Sequence, residues 1–231
     1  MLTLKSAASP TTVVATRTPG AQLMPAISEM RPGVRYEPAD VTPAVSFEVP
    51  VAGWKTYPPP PFTVADLVDI GKNIRVESNE ADVTVSVLRV TDVWTKYLVP
   101  DPVQPLEAQY VVPAPDDLLG WFRSNPYLRL SEPSATMVAG LPATTFTAEV
   151  PPLPPEADGT CNGARCTILF SLESTAGYTA QVEGETSRYW LIDGGPERFV
   201  VVMGVDSGVD PSQRDALLRE GEAVVASIQI R

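Results

Sequence analysis

The sequence predicts an α+β fold: an antiparallel β-sheet covered by a mid-chain helix and a C-terminal helix. Three observations predict it. Apolar and polar residues alternate in several short runs, the period of a strand with one buried face. Two segments carry helix-start and helix-stop residues around apolar positions at helical spacing. The 231 residues include 25 prolines, about twice the usual share of roughly 5 %. Prolines sit at strand ends and edges, so this richness favours a loop-rich sheet protein over a helical bundle. Hydrophobic residues make up 44 %, enough for a substantial core.

Residues 1–43 carry few aromatics and no sustained period, which predicts a disordered or loosely attached tether. Positions 7–33 are dominated by Ser, Thr, Pro, Ala and Gly, a linker composition. A single α+β domain is expected over 44–231. Its first strand is Val45 to Val49, with Val45, Phe47 and Val49 on the buried face. Gly53-Trp54 forms a turn whose tryptophan plugs one end of the core. Tyr57 to Pro61 is a polyproline stretch, read as a stiff loop rather than a docking motif.

Phe62 to Ile70 is a strand ending at Gly71, and Asn73 to Glu77 a short one. Val83 to Val90 is the clearest strand of the first half, with Val83, Val85 and Val87 on one face. Residues 98–115 hold five prolines and read as a long surface excursion. Asp116 opens a helix, since its carboxylate suits the free N–H groups of a first turn. Leu118, Leu119 and Phe122 form the apolar face of this helix, Trp121 flanks it, and Asn125-Pro126 ends it.

A strand follows from Leu128 and Leu130 through Val138. Gly140-Leu141-Pro142 turns the chain into a partner strand, Thr144 to Val150. The loop Pro151 to Gly163 delivers the cysteines to a buried strand at Thr167 to Phe170. Ser187 to Ile192 and Arg198 to Val202 flank Asp193-Gly194-Gly195-Pro196-Glu197, a hairpin signal. The last helix has Asp210 at its N-cap, Pro211 at its first position and Gln213 completing a capping box. Leu217, Leu218, Gly221, Val224 and Val225 line one face. Ser227 to Ile230 closes the chain as a strand.

The catalytic inventory is short. The chain has no histidine, which excludes Ser–His–Asp and Cys–His catalysis and imidazole-ligated zinc. The four lysines, Lys5, Lys55, Lys72 and Lys96, show no S-x-x-K spacing. No phosphate-binding glycine loop occurs, and no cofactor is implied. Gly204 to Gly208 superficially resembles a nucleophile elbow, but its serine is displaced and lacks a histidine partner. Asp116 and Asp117 read as a helix start. Glu77, Glu80 and Asp82 offer weak calcium ligands but read as a solvated turn. A carboxylate-based hydrolase stays open, because its acid pair is defined in three dimensions.

Seventeen basic against 28 acidic residues leave a net charge of −11. Such a surface disfavours nucleic acid and anionic lipid as partners. No stretch approaches the roughly 18–20 apolar residues of a membrane span.

Cys161 and Cys166 are the only cysteines, separated by four residues. A disulfide across this gap closes a small ring, contributes roughly 2 kcal/mol by the chain-entropy relation and rigidifies the loop before the Thr167 strand. Free thiols, or a redox or metal role, are the alternatives; a redox C-x-x-C motif has a shorter spacer. The disulfide reading implies an oxidising, extracytoplasmic compartment. The first ten residues lack a basic segment followed by an apolar one, so a lipid anchor or signal is expected upstream of Met1. A cytoplasmic protein starting at Met1 is the competing reading.

One ordered series of residues resembles a known group. It runs Phe47-x-Val49-Pro50-x-x-Gly53-Trp54, then Leu88-Arg89-x-x-x-Val93-Trp94. It continues with Pro115-x-Asp117-Leu118-x-x-Trp121-Phe122-x-x-Asn125-Pro126-x-Leu128 and Val138-x-Gly140-Leu141-Pro142-Ala143. Tyr189-Trp190-Leu191-x-Asp193-x-Gly195, Val200 to Val202 and Ala223-x-Val225-x-Ser227-Ile228 complete it. The series resembles bacterial secreted proteins and lipoproteins related to the PsbP/Mog1-like fold. The resemblance implies an antiparallel sheet covered by helices, export, and no catalytic residues to carry over.

The expected function is a non-catalytic extracytoplasmic binding or accessory domain with a protein or cell-envelope partner. Proline-rich loops at 56–61, 98–115 and 151–166 supply its recognition surface. A carrier of a small apolar ligand, with a pocket near Trp121, Phe122 and Trp190, and a carboxylate-based hydrolase are the alternatives.

Overall fold

The computed structural model describes residues 18–24, 29–39, 44–56, 67–72, 81–98, 110–155, 160–161, 164–172, 177–193 and 198–231. Strands and helices are numbered along the chain. The fold is α+β, built on a central sheet of strands running antiparallel to their neighbours. Across that sheet lie β10 (Ser134–Val138), β11 (Leu141–Glu149), β15 (Thr186–Ile192), β16 (Phe199–Val205), β6 (Val83–Arg89), β5 (Leu67–Lys72) and β4 (Trp54–Thr56). β9 (Arg129–Leu130) also pairs with β11.

The central sheet is covered on both faces. One side carries α2 (Pro211–Ser227) and a small sheet of β1 (Gln22–Leu23), β2 (Arg35–Glu37), β3 (Val45–Glu48) and β17 (Gln229–Ile230). The other carries α1 (Leu118–Ser124) and a second sheet. That sheet contains β12 (Thr160–Cys161), β13 (Ala164–Leu172), β7 (Asp92–Trp94) and β8 (Val111–Pro113), with β14 (Gly177–Val182) also on β13. Burial on both faces explains why β16 and the second half of β15 are continuous apolar runs rather than alternating ones. Val201 and Met203 join the core under α2, while Val200 joins the core under α1.

The α2 core is mainly aliphatic: Val83, Val85, Val87, Ile70, Val201, Leu217, Val224 and Val225 pack together. Gly221 lets the helix approach β16, because a Cβ there would lie 2.5 Å from Met203 Sδ. Asp210 caps α2 by accepting from the Ser212 N–H at 2.8 Å. The carboxylate thus serves the second helical residue, in place of the capping-box contact expected with Gln213. Lys72 and Glu220 pair at 2.7 Å across the helix–sheet seam.

Several expectations are corrected. Asp117, not Asp116, caps α1: its side chain accepts from the Gly120 N–H at 2.7 Å. Asp116 lies one residue outside and pairs with Arg198. β3 is buried on both faces: Ser46 is buried like Val45 and Phe47, and it accepts a hydrogen bond from Arg35 Nη1 at 3.3 Å. The strand expected from Leu128 to Val138 is two strands, β9 and β10, on one partner. The turn before β11 is Ala139-Gly140, both at positive φ (54° and 78°). It is a two-residue hairpin loop of the type whose twist matches the flanking strands. β5 runs on through Gly71 to Lys72, while the readings at 57–66, 73–80, 99–109 and 194–197 lie outside the described residues. β8 occupies part of the expected 98–115 excursion.

Within the expected tether of 1–43, residues 18–24 and 29–39 differ from a loose segment. β2 pairs with β3, Met30 and Tyr36 are buried, and the Met30 N–H donates to the Trp54 carbonyl at 2.7 Å. These strands span two or three residues, too short to show a period. Residues 1–17 lie outside the described part.

Candidate functional site

The second sheet gathers the features that sequence reading singled out. Cys161 on β12 and Cys166 on β13 lie within disulfide-bonding distance, their Cα atoms 5.8 Å apart. The strand register there is only two residues long, Thr160 opposite Arg165 and Cys161 opposite Ala164. A covalent link at this point would hold what so short a ladder holds weakly. The sulfurs pack with Trp94 and Ile168 in a small satellite core, flanked by Tyr110 and Tyr178. Arg165 donates to the carbonyls of Leu153 and Pro154 and pairs with Glu183 at 3.4 Å, tying down the approach to the cysteines. Lys96 Nζ lies 4.8 Å from the Tyr110 ring centroid, a cation–π distance.

Two of the three expected recognition loops therefore converge. The described parts of 98–115 and 151–166 both feed the second sheet, through β8 and β12. The third follows β4 at the far edge of the central sheet, and residues 57–61 lie outside the described part.

A second constellation, missed by sequence reading, lies on the α1 face of the central sheet. The buried Tyr189 hydroxyl donates to Gln181 Oε1 at 2.9 Å. Gln181 Nε2 donates to the carbonyls of Ala148 (2.7 Å) and Glu185 (3.0 Å). Glu185 accepts from the Val182 N–H at 3.0 Å and the Ser187 hydroxyl at 2.7 Å. Gly204 keeps room for this network, since a Cβ there would come within 3.1 Å of Glu185 Oε1. Burial holds the Tyr189 hydroxyl protonated well above its ordinary range, with the Glu185 charge adding to the effect. Burial also raises the Glu185 carboxyl, against its two hydrogen bonds.

Asp69, on β5, stands three strands across from Tyr189, accepting from the Ser86 hydroxyl at 3.0 Å. The residue as a whole is only partly covered, yet its carboxyl is densely surrounded. Desolvation raises its pKa to about 7, against the lowering effect of Ser86. The lone carboxylate in Leu67-Val68-Asp69-Ile70 was the available signal for this group.

These acids do not form a pair. β6 and β16 lie between β5 and β15, so the strands bearing Asp69 and following Glu185 are three spacings apart, about 14 Å. Paired glycosidase carboxylates stand roughly 5–9.5 Å apart. Among the described residues no His/Cys/Asp/Glu group is placed to hold a metal ion. Asp82 is buried, whereas Glu77 and Glu80 lie outside the described residues. Asp206 accepts from the Gly208 N–H at 2.6 Å, making the glycine-rich segment there a local turn leading to α2.

The expected apolar pocket is divided by the sheet itself. Trp121 and Phe122 pack on the α1 face with Tyr189, while neighbouring Trp190 points to the α2 face. The space under α1 is filled by rings: Phe122 lies 4.9 Å from Tyr189, 5.1 Å from Phe146 and 5.7 Å from Phe170 between centroids. A cleft of about 250 Å³ opens beside the start of α1, between Leu118, Leu191 and Phe199. It falls below the roughly 300–1,000 Å³ of ligand pockets. Arg198 at its rim is engaged by the carbonyls of Ala114 and Pro115 and by Asp116.

Solved structures similar to this chain include the following two. LpqN, described as involved in cell envelope biogenesis of Mycobacterium tuberculosis, is 14% identical, with 88% of this chain and 91% of that one covered at a TM-score of 0.37. Cyanobacterial PsbP (CyanoP) from Synechocystis sp. PCC 6803 is 11% identical, with 85% and 92% covered at a TM-score of 0.40. The second bears the name of the fold group that the residue series resembles. The fold itself is defined by the strands and helices above. No family model matches the chain, and no curated protein matches it.

Proposed function

We propose that this chain is a non-catalytic binding or accessory domain that works outside the cytoplasm. Its partner is a protein or cell-envelope component, met through the second sheet. The observation that carries this reading is the corner where Cys161 and Cys166 lie within bonding distance. The pair is a disulfide in the native protein, a bond that persists in oxidising compartments. It fixes β12 beside the converging loops, giving them the rigid base that recognition loops need. The polar network under α1 supports the same reading: its titratable groups are hydrogen-bonded to the protein's own strands and turns.

Thiol counting tests the compartment. Protein purified without reductant and then unfolded should show no reactive thiol until a reductant is added; two reactive thiols at once overturn the reading. The surface is tested separately. A photo-crosslinking side chain in place of exposed Val112 on β8 should capture an envelope component in cells. The same group in place of exposed Leu23, on the opposite layer, should not. No capture at Val112, or equal capture at both, overturns the choice of the second sheet.

A further inference from the structure

We propose that β10 is a self-pairing edge, through which two copies of this chain join their central sheets across a two-fold axis at Thr136. Among the described residues β10 pairs on one side only, with β11. The hairpin fixes which backbone groups face outward. Val138 and Leu141 close the Ala139-Gly140 loop, so they form a hydrogen-bonded pair and the pairs along the strand alternate from there. Met137 and Pro142 are then a non-hydrogen-bonded pair. The Pro142 carbonyl accordingly points the other way, accepting from the Asp193 N–H at 2.8 Å. Ala135 shares this phase. The N–H and C=O groups of Ala135 and Met137 therefore face away from β11 along the outer edge.

This edge is self-complementary. Antiparallel pairing about Thr136 sets Ala135 opposite Met137 of the second copy, and Met137 opposite its Ala135. Both pairs are hydrogen-bonding positions, each exchanging an N–H and a C=O in both directions. The side chains agree with that register. Met137 is 60% exposed, and pairing lays it beside Ala135 of the second copy on the same face.

Charge permits a second copy at this place. The chain carries a net charge of −11, yet residues 133–142 contain no ionisable side chain. Two acidic molecules meet here without like charges opposed. In this register Glu132 falls opposite Gly140 of the second copy, not opposite another carboxylate. Edge strands are ordinarily blunted by lysine, proline or a bulge. Here Glu132 and Pro133 guard only the start, and β10 itself is open. One short strand per copy makes a small contact, well below the roughly 1,200 Å² of stable interfaces, so the dimer forms in proportion to concentration.

Thr136→Cys tests the register directly. Two residues at the axis form a non-hydrogen-bonded pair, whose Cβ atoms are about 4.5–5.5 Å apart, within reach of a disulfide. Mild oxidation should give a reducible covalent dimer, linked at position 136 by peptide mapping, while Ala135→Cys should give far less. No cross-link, or equal cross-linking of both variants, overturns the proposal. The second measurement is sedimentation of the unmodified chain and of Ala135→Pro over a concentration series. Proline at 135 removes an outward N–H and leaves the ladder to β11 intact, so melting should be unchanged and self-association lost. A chain that is monomeric throughout, as when the edge serves an extended peptide of another protein, overturns the proposal. So does a dimer that survives Ala135→Pro.

Discussion

The two faces of the central sheet are built from different materials. The α2 face is largely valine, isoleucine, leucine and methionine, side chains that pack by shape alone. The α1 face holds a knot of rings around Phe122 and a chain of hydrogen bonds running through Tyr189 and Gln181. Aliphatic contacts are non-directional and tolerate volume-conserving exchange. Ring contacts and buried hydrogen bonds have preferred geometries and leave costly groups behind when one partner is lost. The α2 face is therefore the plainer source of stability, and the α1 face fixes a unique arrangement.

The largest test of this contrast is Phe122→Ala, which removes the centre of the ring cluster. It should cost about 3–5 kcal/mol in urea unfolding; a loss near that of an exposed site would mean the rings do not act as a unit. Next is the double variant Cys161→Ser with Cys166→Ser. It should lower stability by about 2 kcal/mol while α-helical circular dichroism is kept, because the pair clamps only the outer corner.

On the aliphatic face, Gly221→Ala should cost about 1 kcal/mol net. Crowding of Met203 costs about 1–3 kcal/mol, and the gain in helix propensity of about 1 kcal/mol partly offsets it. Shortening Met203 to valine in the same chain should recover part of the loss, a coupling that a double-mutant cycle reads. The last effect is a slope with pH. The Asp69 pKa is raised from 3.8 to about 7, so the native state holds a proton that the unfolded chain releases. That contribution is fully present below pH 3.8 and is lost as pH rises through 7. Asp69→Asn should flatten stability between those values, and an unchanged slope would show that the carboxyl is solvated.

What sequence could reveal follows the same division. β6 was readable because Val83, Val85 and Val87 share one face, and α2 because its cap and apolar stripe agree. β7, β8 and β12 were not, since two or three residues cannot display a period. β14 was missed for another reason: its neighbours Tyr178, Thr179 and Ala180 are all half-buried, so nothing alternates. Adjacent Asp116 and Asp117 are equivalent as sequence, and only the helix register distinguishes cap from ion pair. Trp190 was grouped with Trp121 and Phe122 by residue type, whereas strand parity sends it through the sheet. The cysteine corner was visible in spacing, but its convergence with β8 depends on pairing across distant segments. The Tyr189–Gln181–Glu185 network left no spacing signal, because its members meet only through folded strands and a turn.

The pairing of β17 with β3 sets a condition on how the molecule assembles. Gln229 lies opposite Ser46, and the Glu48 N–H donates to the Ser227 hydroxyl at 2.8 Å. β6 likewise waits for β16, with Val87 opposite Val201. During synthesis the early strands thus emerge long before the segments that complete them. Contacts so distant along the chain slow folding, since the loop between them must close first. Pairing of β3 and of β6 on these sides is therefore completed only by segments far along the chain.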